Sequence, residues 1–249
     1  MAPDSGSKGL VSGHRFFLPA VHVAGNRVSF PPHTSHQISR VLRLKIGDVV
    51  EVFDGAGQEH CVRLEELGRE ALGAIVRSFP SQSEPDIFVT LYQGLLKGKK
   101  LELVLQKCTE IGILRFVSVQ SERSIAGEPS ESRFERLLEI VREAAEQSGR
   151  GVVPLVEGSR SLAQGLAEAA VRGPVLFLWE EESLAPLPAA SDYQAGSELS
   201  LFVGPEGGFG EAEAASARAA GAEVVSLGRR ILRAETAAIV ASALVLQGH

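Results

Sequence analysis

Hydrophobic residues in the first third of the chain come in short runs separated by turn residues such as Asp54-Gly55. Runs of this kind are typical of β-strands and hairpins. One short helix, at about residues 35–42, interrupts them. The predicted strands span residues 16–18, 26–30, 49–53 and 73–76. Together these elements predict a small β-barrel.

The rest of the chain alternates between apolar runs and segments with apolar residues at helical spacing. One such helix ends before Gly112 and has five apolar positions: Leu101, Val104, Leu105, Cys108 and Ile111. Ser130 can cap the next helix. Further helices are predicted at residues 211–220 and 235–247, and strands at 87–91, 116–119, 174–179, 201–203 and 224–227. This alternation predicts an α/β fold with a parallel sheet.

The two patterns divide the chain of 249 residues into two folded domains. Residues 1–13 are rich in Ser and Gly and are predicted to form a disordered leader. The β-barrel is expected at residues 14–79, a linker at 80–85 and the α/β domain at 86–249. A hydrophobic content of 44% is sufficient for two cores of this size.

Charge is distributed unevenly along the chain, although the net charge is −6. The first 47 residues contain six Lys or Arg residues and a single acidic residue, Asp4. Because local charge matters more than net charge for nucleic-acid binding, the amino-terminal domain is a candidate RNA surface. From charge alone, a solvated basic face is an equally good interpretation.

Cysteine usage and hydropathy exclude several classes of protein. Cys61 and Cys108 are far apart and no histidine cluster accompanies them, so neither a disulfide framework nor a metal site is indicated. Cys108 is predicted to be a small apolar core side chain. No apolar run approaches the ~18 residues of a membrane span, and the expected location is cytoplasmic.

Two glycine-containing segments carry the most specific chemistry. Residues 204–208 are Gly-Pro-Glu-Gly-Gly, and residues 226–236 contain Gly228 and three arginines. Neither segment has the pattern of a P-loop or of a dinucleotide site. Glu206 would repel phosphate but can accept hydrogen bonds from an amine or a ribose hydroxyl. One such loop alone would be interpreted as a simple turn. Two such loops together predict a pocket, and the carboxylate of Glu206 favours a positively charged nucleoside as its ligand.

These segments resemble the cofactor loops of the SPOUT class of methyltransferases, and specifically those of the RsmE family, which methylates N3 of a uridine in small-subunit ribosomal RNA. The resemblance extends from Phe16 to the carboxyl terminus, because further segments match the family in the same order. These are residues 36–48, 97–98, 106–112, 122–124 and 143–150.

The resemblance implies a fold, a cofactor and partners. It implies a carboxyl-terminal SPOUT α/β-knot, in which the chain end forms a trefoil knot, and an amino-terminal PUA-like RNA-binding barrel. Threaded chains are very rare, so the knot rests on the resemblance alone. It further implies S-adenosyl-L-methionine as cofactor with no metal, the ribosomal RNA of the small ribosomal subunit as partner, and a homodimer. The apolar run at residues 237–241 is compatible with a dimer interface or with burial inside the monomer.

The resemblance also assigns candidate site residues. Arg233 is the first catalytic candidate, since it can stabilise negative charge on the uracil oxygens, and Glu235 and Glu206 are candidate bases. A phosphate contact for Arg233 and a simple helix first-turn carboxylate for Glu235 remain alternatives. The predicted cofactor-binding residues are Leu178, Trp179, Glu180, Val203, Gly204, Pro205, Glu206, Gly207, Gly208, Ser226, Leu227, Gly228, Arg230, Ile231 and Leu232. The predicted RNA contacts are Arg15, Arg40, Arg43, Lys45, Lys97 and Arg123.

Other functions are compatible with parts of this pattern. A non-catalytic ribosome-assembly or RNA-binding protein could retain the fold, although the intact glycine loops and Arg233 disfavour it. A SPOUT methyltransferase acting on transfer RNA is disfavoured by residues 36–48, and an oxidoreductase by the missing dinucleotide pattern. Lys99-Lys100 departs from the pattern expected in the family, which leaves the role of that loop open.

Overall fold

A computed structural model, which describes residues 11–181 and 185–247, shows two compact units. One unit extends to Glu84 and also includes residues 146–153, and the other comprises residues 85–145 and the chain from Pro154 onward. Most of the predicted leader, residues 1–13, lies outside the described residues. Its last three residues already belong to a strand that begins at Val11, so the leader ends earlier than predicted.

The first unit is built on one six-stranded sheet. Its strands are β1 (Val11–Phe17), β2 (Val23–Ala24), β3 (Arg27–Phe30), β4 (Val49–Phe53), β5 (Gln58–Glu66) and β6 (Ala71–Pro80). The order across the sheet is β1-β4-β5-β6-β3-β2, with β1 and β4 parallel and the other neighbours antiparallel. A short helix, α1 (Pro32–His36), continues into a π-helical turn at Gln37–Val41, close to the predicted helix.

The core of the first unit combines the sheet with the helical turn after α1. Ile38 is the helical contribution and is fully buried. Ser35 ties α1 to the sheet, because its hydroxyl donates to the Phe30 carbonyl at 2.8 Å and accepts from the Ala71 NH at 2.7 Å. Leu18, directly after β1, is also part of this core. The sheet contributes Phe16, Val28, Phe30, Val50, Val52, Val62, Leu64 and Ala71.

Residues 146–153 belong to the first unit although they lie far along the chain. Glu84 anchors them: its carboxylate accepts hydrogen bonds from the NH groups of Gly151 and Val152, at 3.0 and 3.2 Å, and pairs with Arg150 at 2.5 Å. The predicted linker at residues 80–85 is therefore not a free connection. The contact joins positions 66 residues apart, which no local sequence pattern could indicate.

We expect Glu84→Gln to destabilise the protein by about 3 kcal/mol, because a buried ion pair loses one partner while the other charge stays in place. The Arg150 side chain is only 3% exposed. Urea unfolding measures the loss. Glu66→Gln, which changes an exposed carboxylate of β5, is the matched control and should stay within about 0.5 kcal/mol of wild type. Equal stability of both variants would contradict the anchoring role of Glu84.

The second unit is built on a six-stranded, fully parallel sheet, as the alternating pattern predicts. Its strands are β7 (Phe88–Gly94), β8 (Arg115–Gln120), β9 (Leu155–Ser161), β10 (Val175–Leu178), β11 (Glu198–Val203) and β12 (Glu223–Val225). Its helices are α2 (Lys100–Ile111), α3 (Glu131–Ser148, of which residues 146–148 belong to the first unit), α4 (Leu162–Arg172), α5 (Glu211–Ala219) and α6 (Ala234–Gln247). The order across the sheet is β12-β10-β11-β7-β8-β9.

Two elements of this unit, β9 and α4, have no counterpart among the predicted elements. β9 is an edge strand, and its Leu155 is 63% exposed, so its apolar signal is weak. α4 does carry a start signal in the sequence, since Ser161 and Gln164 form a capping box. The helix was therefore predictable from its cap, and also from Leu162, Leu166 and Ala169, which are buried at helical spacing.

Aromatic side chains stiffen the strands that lead into the first glycine loop. Tyr92 of β7 stacks on Phe202 of β11, with ring centroids 4.3 Å apart. Phe177 of β10 stacks on Phe209, which follows the loop, at 4.2 Å. All four rings are fully buried, so three neighbouring strand ends are fixed by close packing.

Helix α6 packs against α2 and is apolar on more than one face. At the contact, the Ser242 hydroxyl donates to the Cys108 sulfur at 3.5 Å. Burial raises the pKa of the Cys108 thiol to about 12, so Cys108 is a neutral core side chain, as predicted. Leu244 of α6 is 48% exposed. Within residues 11–181 and 185–247, no helix combines the length and apolar character that crossing a membrane requires.

Candidate functional site

A cavity lies where β10, β11 and β12 end. These strands are neighbours in the parallel sheet, so the loops that follow them emerge side by side. The cavity encloses about 620 Å³, including its open mouth. Its lining consists of Leu178, Trp179, Glu180, Val203, Gly204, Pro205, Glu206, Gly208, Val225, Ser226, Leu227, Gly228, Arg230, Ile231, Leu232, Ala234 and Ala237.

The structure brings the two predicted glycine segments together, with one correction. Every predicted cofactor residue except Gly207 lines the cavity. Gly207 contacts Arg123 instead: its carbonyl accepts a hydrogen bond from the guanidinium at 3.0 Å, and a Cβ at this glycine would lie 3.0 Å from the Arg123 Cβ. Three further residues line the cavity and were not predicted: Val225, Ala234 and Ala237. The two alanines lie about one helical turn apart at the start of the last helix. This spacing was the sequence signal that could have indicated that both line the cavity.

Close backbone contacts fix the first glycine loop. A Cβ at Gly94 would lie 2.3 Å from the Pro205 nitrogen, so only glycine lets the end of β7 approach the loop. The buried Gln93 amide donates to the carbonyls of Gly94 and Gly204, both at 3.1 Å. Gly208 has a φ of 66°, in the left-handed region that favours glycine. The loop is therefore preformed.

Trp179 is a fixed part of the cavity wall. Its indole NH donates to the Phe209 carbonyl at 3.2 Å, and its backbone NH donates to the Val225 carbonyl at 3.0 Å. The Arg218 guanidinium lies 5.4 Å from the ring centroid. Because three contacts hold the residue, the wall is in place before any ligand arrives.

Glu206 is an anchored carboxylate at the tip of the first glycine loop. Its Oε1 accepts hydrogen bonds from the Lys97 backbone NH at 3.0 Å and from the Lys100 ammonium at 3.2 Å. Partial burial opposes its ionisation, but these hydrogen bonds outweigh burial and lower the pKa of the Glu206 carboxyl below its usual value. A carboxyl with a lowered pKa is a weaker proton acceptor, which favours an anchoring role over that of a base.

Glu235 lies in the first turn of α6, where the helix dipole favours a carboxylate. Its side chain is 12% exposed, and Oε2 lies 3.7 Å from the Lys100 ammonium. Lys100 therefore contacts both candidate carboxylates. Of the two, Glu235 has the weaker contacts and remains the better candidate base.

Arg233 immediately precedes α6. Its carbonyl accepts a hydrogen bond from the Ala237 NH of that helix at 2.8 Å. Its side chain is exposed, and in the described part of the chain it makes no ion pair. Arg229 and Arg230 are also exposed, and Arg230 lines the cavity. The Arg233 guanidinium is thus available to a second, negatively charged reactant at this end of the sheet.

Four of the predicted RNA contacts are exposed cations: Arg40, Arg43, Lys45 and Lys97. The first three follow α1 in the first unit, where Arg43 has a φ of 55°, an uncommon conformation that marks a tight turn. Lys97 belongs to the second unit. Arg123 is exposed as well, but its guanidinium is engaged by the glycine loop.

The structure does not favour the predicted RNA contact of Arg15. Its side chain is 12% exposed and pairs with Glu59 at 3.2 Å. The guanidinium also lies 4.5 Å from the centroid of the Phe53 ring and donates to the Arg150 carbonyl at 2.8 Å. These contacts use the charge inside the first unit. The count of basic residues on which the prediction depended does not distinguish buried from exposed arginines.

The cavity suits a nucleoside that carries a positive charge. Its walls are mainly aliphatic, which fits a base, and its glycines let a ligand approach the backbone closely. The charged residues of the lining are two glutamates, Glu180 and Glu206, and one arginine, Arg230. A cationic group is stabilised beside the carboxylates, whereas a polyphosphate would be repelled by them. The residues present therefore fit the ligand expected from the sequence.

Comparison with protein families agrees with this geometry. Residues 83–246 match the family described as RNA methyltransferase domain, and residues 34–76 match the one described as RNA methyltransferase PUA domain. The predicted order, a PUA-like domain followed by a methyltransferase domain, is confirmed.

Individual relatives match most of the chain. It is 32% identical over 244 residues to ribosomal RNA small subunit methyltransferase E of Synechocystis, covering 97% of this chain and 80% of the relative. It is 33% identical over 215 residues to the protein of the same name from Bacillus subtilis, covering 83% and 84%. A crystal structure of a ribosomal RNA small subunit methyltransferase E from Neisseria gonorrhoeae bound to S-adenosyl methionine has a TM-score of 0.81 and 33% identity, covering 92% of this chain and 95% of that one.

Proposed function

Since the chain belongs to the ribosomal RNA small subunit methyltransferase E family, we propose that it transfers the methyl group of S-adenosylmethionine to N3 of a uridine in small-subunit ribosomal RNA. The observation that carries the proposal is that both glycine segments line the same cavity. Arg233 lies between two residues of its lining, Leu232 and Ala234. The uridine N3 target follows from the family resemblance. Because the proposed substrate is ribosomal RNA, the proposed site of action is the cytoplasm.

The cofactor site is proposed to lie in this cavity. When bound, S-adenosylmethionine supplies a methyl group on a positively charged sulfur. Trp179 and the aliphatic residues would bind the base, and the backbone of the two glycine segments would hold the polar groups. Glu180 and Glu206 would offset the positive charge. No covalent enzyme intermediate is needed, so positioning by these residues supplies most of the rate enhancement.

The RNA base must be made nucleophilic in this site. The reaction forms the N3–methyl bond, breaks the sulfur–methyl bond and releases the N3 proton. A uridine N3 is a poor nucleophile until that proton leaves, and the negative charge then spreads to the carbonyl oxygens. Arg233 is proposed to stabilise this charge, and Glu235 to accept the proton. Glu206 is proposed to anchor the loop.

The RNA must also present an edge that is normally used for base pairing. Exposing or flipping the base costs a few kcal/mol. We propose that Arg40, Arg43 and Lys45 of the PUA-like domain and Lys97 of the methyltransferase domain bind phosphates, which would offset this cost. Arg123 is proposed mainly to support the glycine loop through the Gly207 carbonyl.

Transfer of tritiated methyl groups tests the proposed function. The protein is incubated with labelled S-adenosylmethionine and, in separate reactions, with small-subunit particles, large-subunit particles and transfer RNA, all free of the relevant methyl groups. Label confined to small-subunit RNA is the expected result. Label in transfer RNA would assign the other SPOUT activity, and cofactor binding without label in any RNA would favour a non-catalytic RNA-binding protein.

A homodimer and the knot remain proposals supported by the family. For the dimer, the supporting observation is that α6 is apolar on several faces and leaves Leu244 48% exposed. Light scattering should give about twice the 26.5 kDa of one chain. A mass of one chain at micromolar concentration would contradict the dimer.

A further inference from the structure

Lys100, at the start of α2, connects two segments that line the cavity. It is the first residue of α2, and its ammonium lies 3.2 Å from Glu206 Oε1 and 3.7 Å from Glu235 Oε2. Glu206 lines the cavity at the tip of the first glycine loop. Glu235 lies between Ala234 and Ala237, which line the cavity from α6. One ammonium thus joins the glycine loop to the first turn of α6.

The turn before α2 is built to keep Lys100 in this place. The Lys97 backbone NH donates to the same Glu206 oxygen that Lys100 contacts, at 3.0 Å. Gly98 has a φ of 60°, and its carbonyl accepts a hydrogen bond from the Arg133 side chain. The turn is therefore held at two successive residues, Lys97 and Gly98, and the Lys100 side chain extends from a fixed backbone.

The two carboxylates depend on Lys100 for charge compensation. In the described part of the chain, Lys100 is the one Lys or Arg that forms an ion pair with either of them. The side chains of Lys100, Glu206 and Glu235 are 36%, 30% and 12% exposed, so the contacts are only partly screened by water. Without the ammonium, the two negative charges would repel each other and the loop and helix would separate.

From this arrangement we infer that Lys100 is a positioning residue of the cofactor site, which holds the two walls of the cavity together through Glu206 and Glu235. The inference rests on the proposed function, since it takes S-adenosylmethionine as the ligand. The role of the loop that contains Lys99 and Lys100 was left open by the family pattern. In this inference Lys100 acts in the site and Lys99 does not.

Titration calorimetry with S-adenosylmethionine tests the inference without any RNA. Lys100→Met should raise the Kd about fivefold, in the range expected when a partly exposed charge network is broken. Lys100→Arg, which keeps the charge, should restore the Kd to within about twofold of wild type. The matched control is Lys99→Met, which removes the same charge from an exposed neighbour and should leave the Kd unchanged.

A double-mutant cycle with Glu206→Gln separates positioning from general charge loss. If Lys100 acts through Glu206, Lys100→Met should change the Kd by less than about twofold in the Glu206→Gln background. An unchanged Kd for Lys100→Met, an equal change for Lys99→Met, or a full effect in the Glu206→Gln background would each overturn the inference. Absence of binding by the wild-type protein would instead refute the proposed function, so the two failures are distinguishable.

Discussion

Replacing Arg233 by alanine should lower kcat for RNA methylation about 100-fold, because it removes a cation that stabilises charge developing in the transition state. The Kd for S-adenosylmethionine should stay within about twofold of wild type, since Arg233 does not line the cavity. Single-turnover rates at saturating RNA measure the effect. Arg229→Ala is the matched control: it removes an exposed arginine of the same segment that also does not line the cavity.

The alternative role of Arg233 gives a different kinetic result. If it were an ordinary phosphate contact, Arg233→Ala would raise KM for the RNA and weaken its salt dependence, while kcat would stay near wild type. Equal losses in the Arg229→Ala control would show that the segment acts only through its total charge. Either result would contradict the catalytic assignment.

Replacing Gly94 by alanine should disrupt the cofactor site from outside the cavity. The added Cβ would lie 2.3 Å from the Pro205 nitrogen and 2.7 Å from the Gly204 carbonyl carbon, and these are backbone atoms that cannot rotate away. Forcing a methyl group into a packed site costs about 1–3 kcal/mol or more. If the loop moves to relieve the contact, cofactor affinity should fall roughly ten- to hundredfold.

Calorimetry with the cofactor measures the effect of Gly94→Ala, and thermal unfolding shows whether the cost appears as lost stability instead. Gly127→Ala is the matched control, because a Cβ at Gly127 meets nothing within 4 Å and its φ is not positive. Wild-type affinity and stability of Gly94→Ala would show that the approach of β7 to the loop is looser than the structure describes.

The sequence was informative where a feature is local. The glycine segments, the strand ends before them and the helix stop at Gly112 depend on residues next to each other. The structure agrees with these predictions except that Gly207 does not line the cavity and the last strand ends at Val225 rather than at residue 227. Gly112 has a φ of 125°, which explains why glycine ends α2. Parallel-strand geometry then suffices to predict that the two loops share one pocket.

Features that depend on distant residues could not be predicted in this way. Lys100 and Glu206 are 106 positions apart, so their ion pair is visible only in the folded protein. The same holds for Arg15, whose partners in the first unit make it internal although its charge suggested an RNA contact. Residue type limits what a side chain can do, but burial and partners decide which of these roles it has.

The most direct test of the proposed N3 methylation is mass spectrometry of nucleosides from small-subunit ribosomal RNA that lacks its uridine methyl group, after incubation with this protein and S-adenosylmethionine. We expect 3-methyluridine with the wild-type protein and about 100-fold slower formation with Arg233→Ala. Formation of a different methylated nucleoside, or of no methylated nucleoside although the cofactor binds, would contradict it.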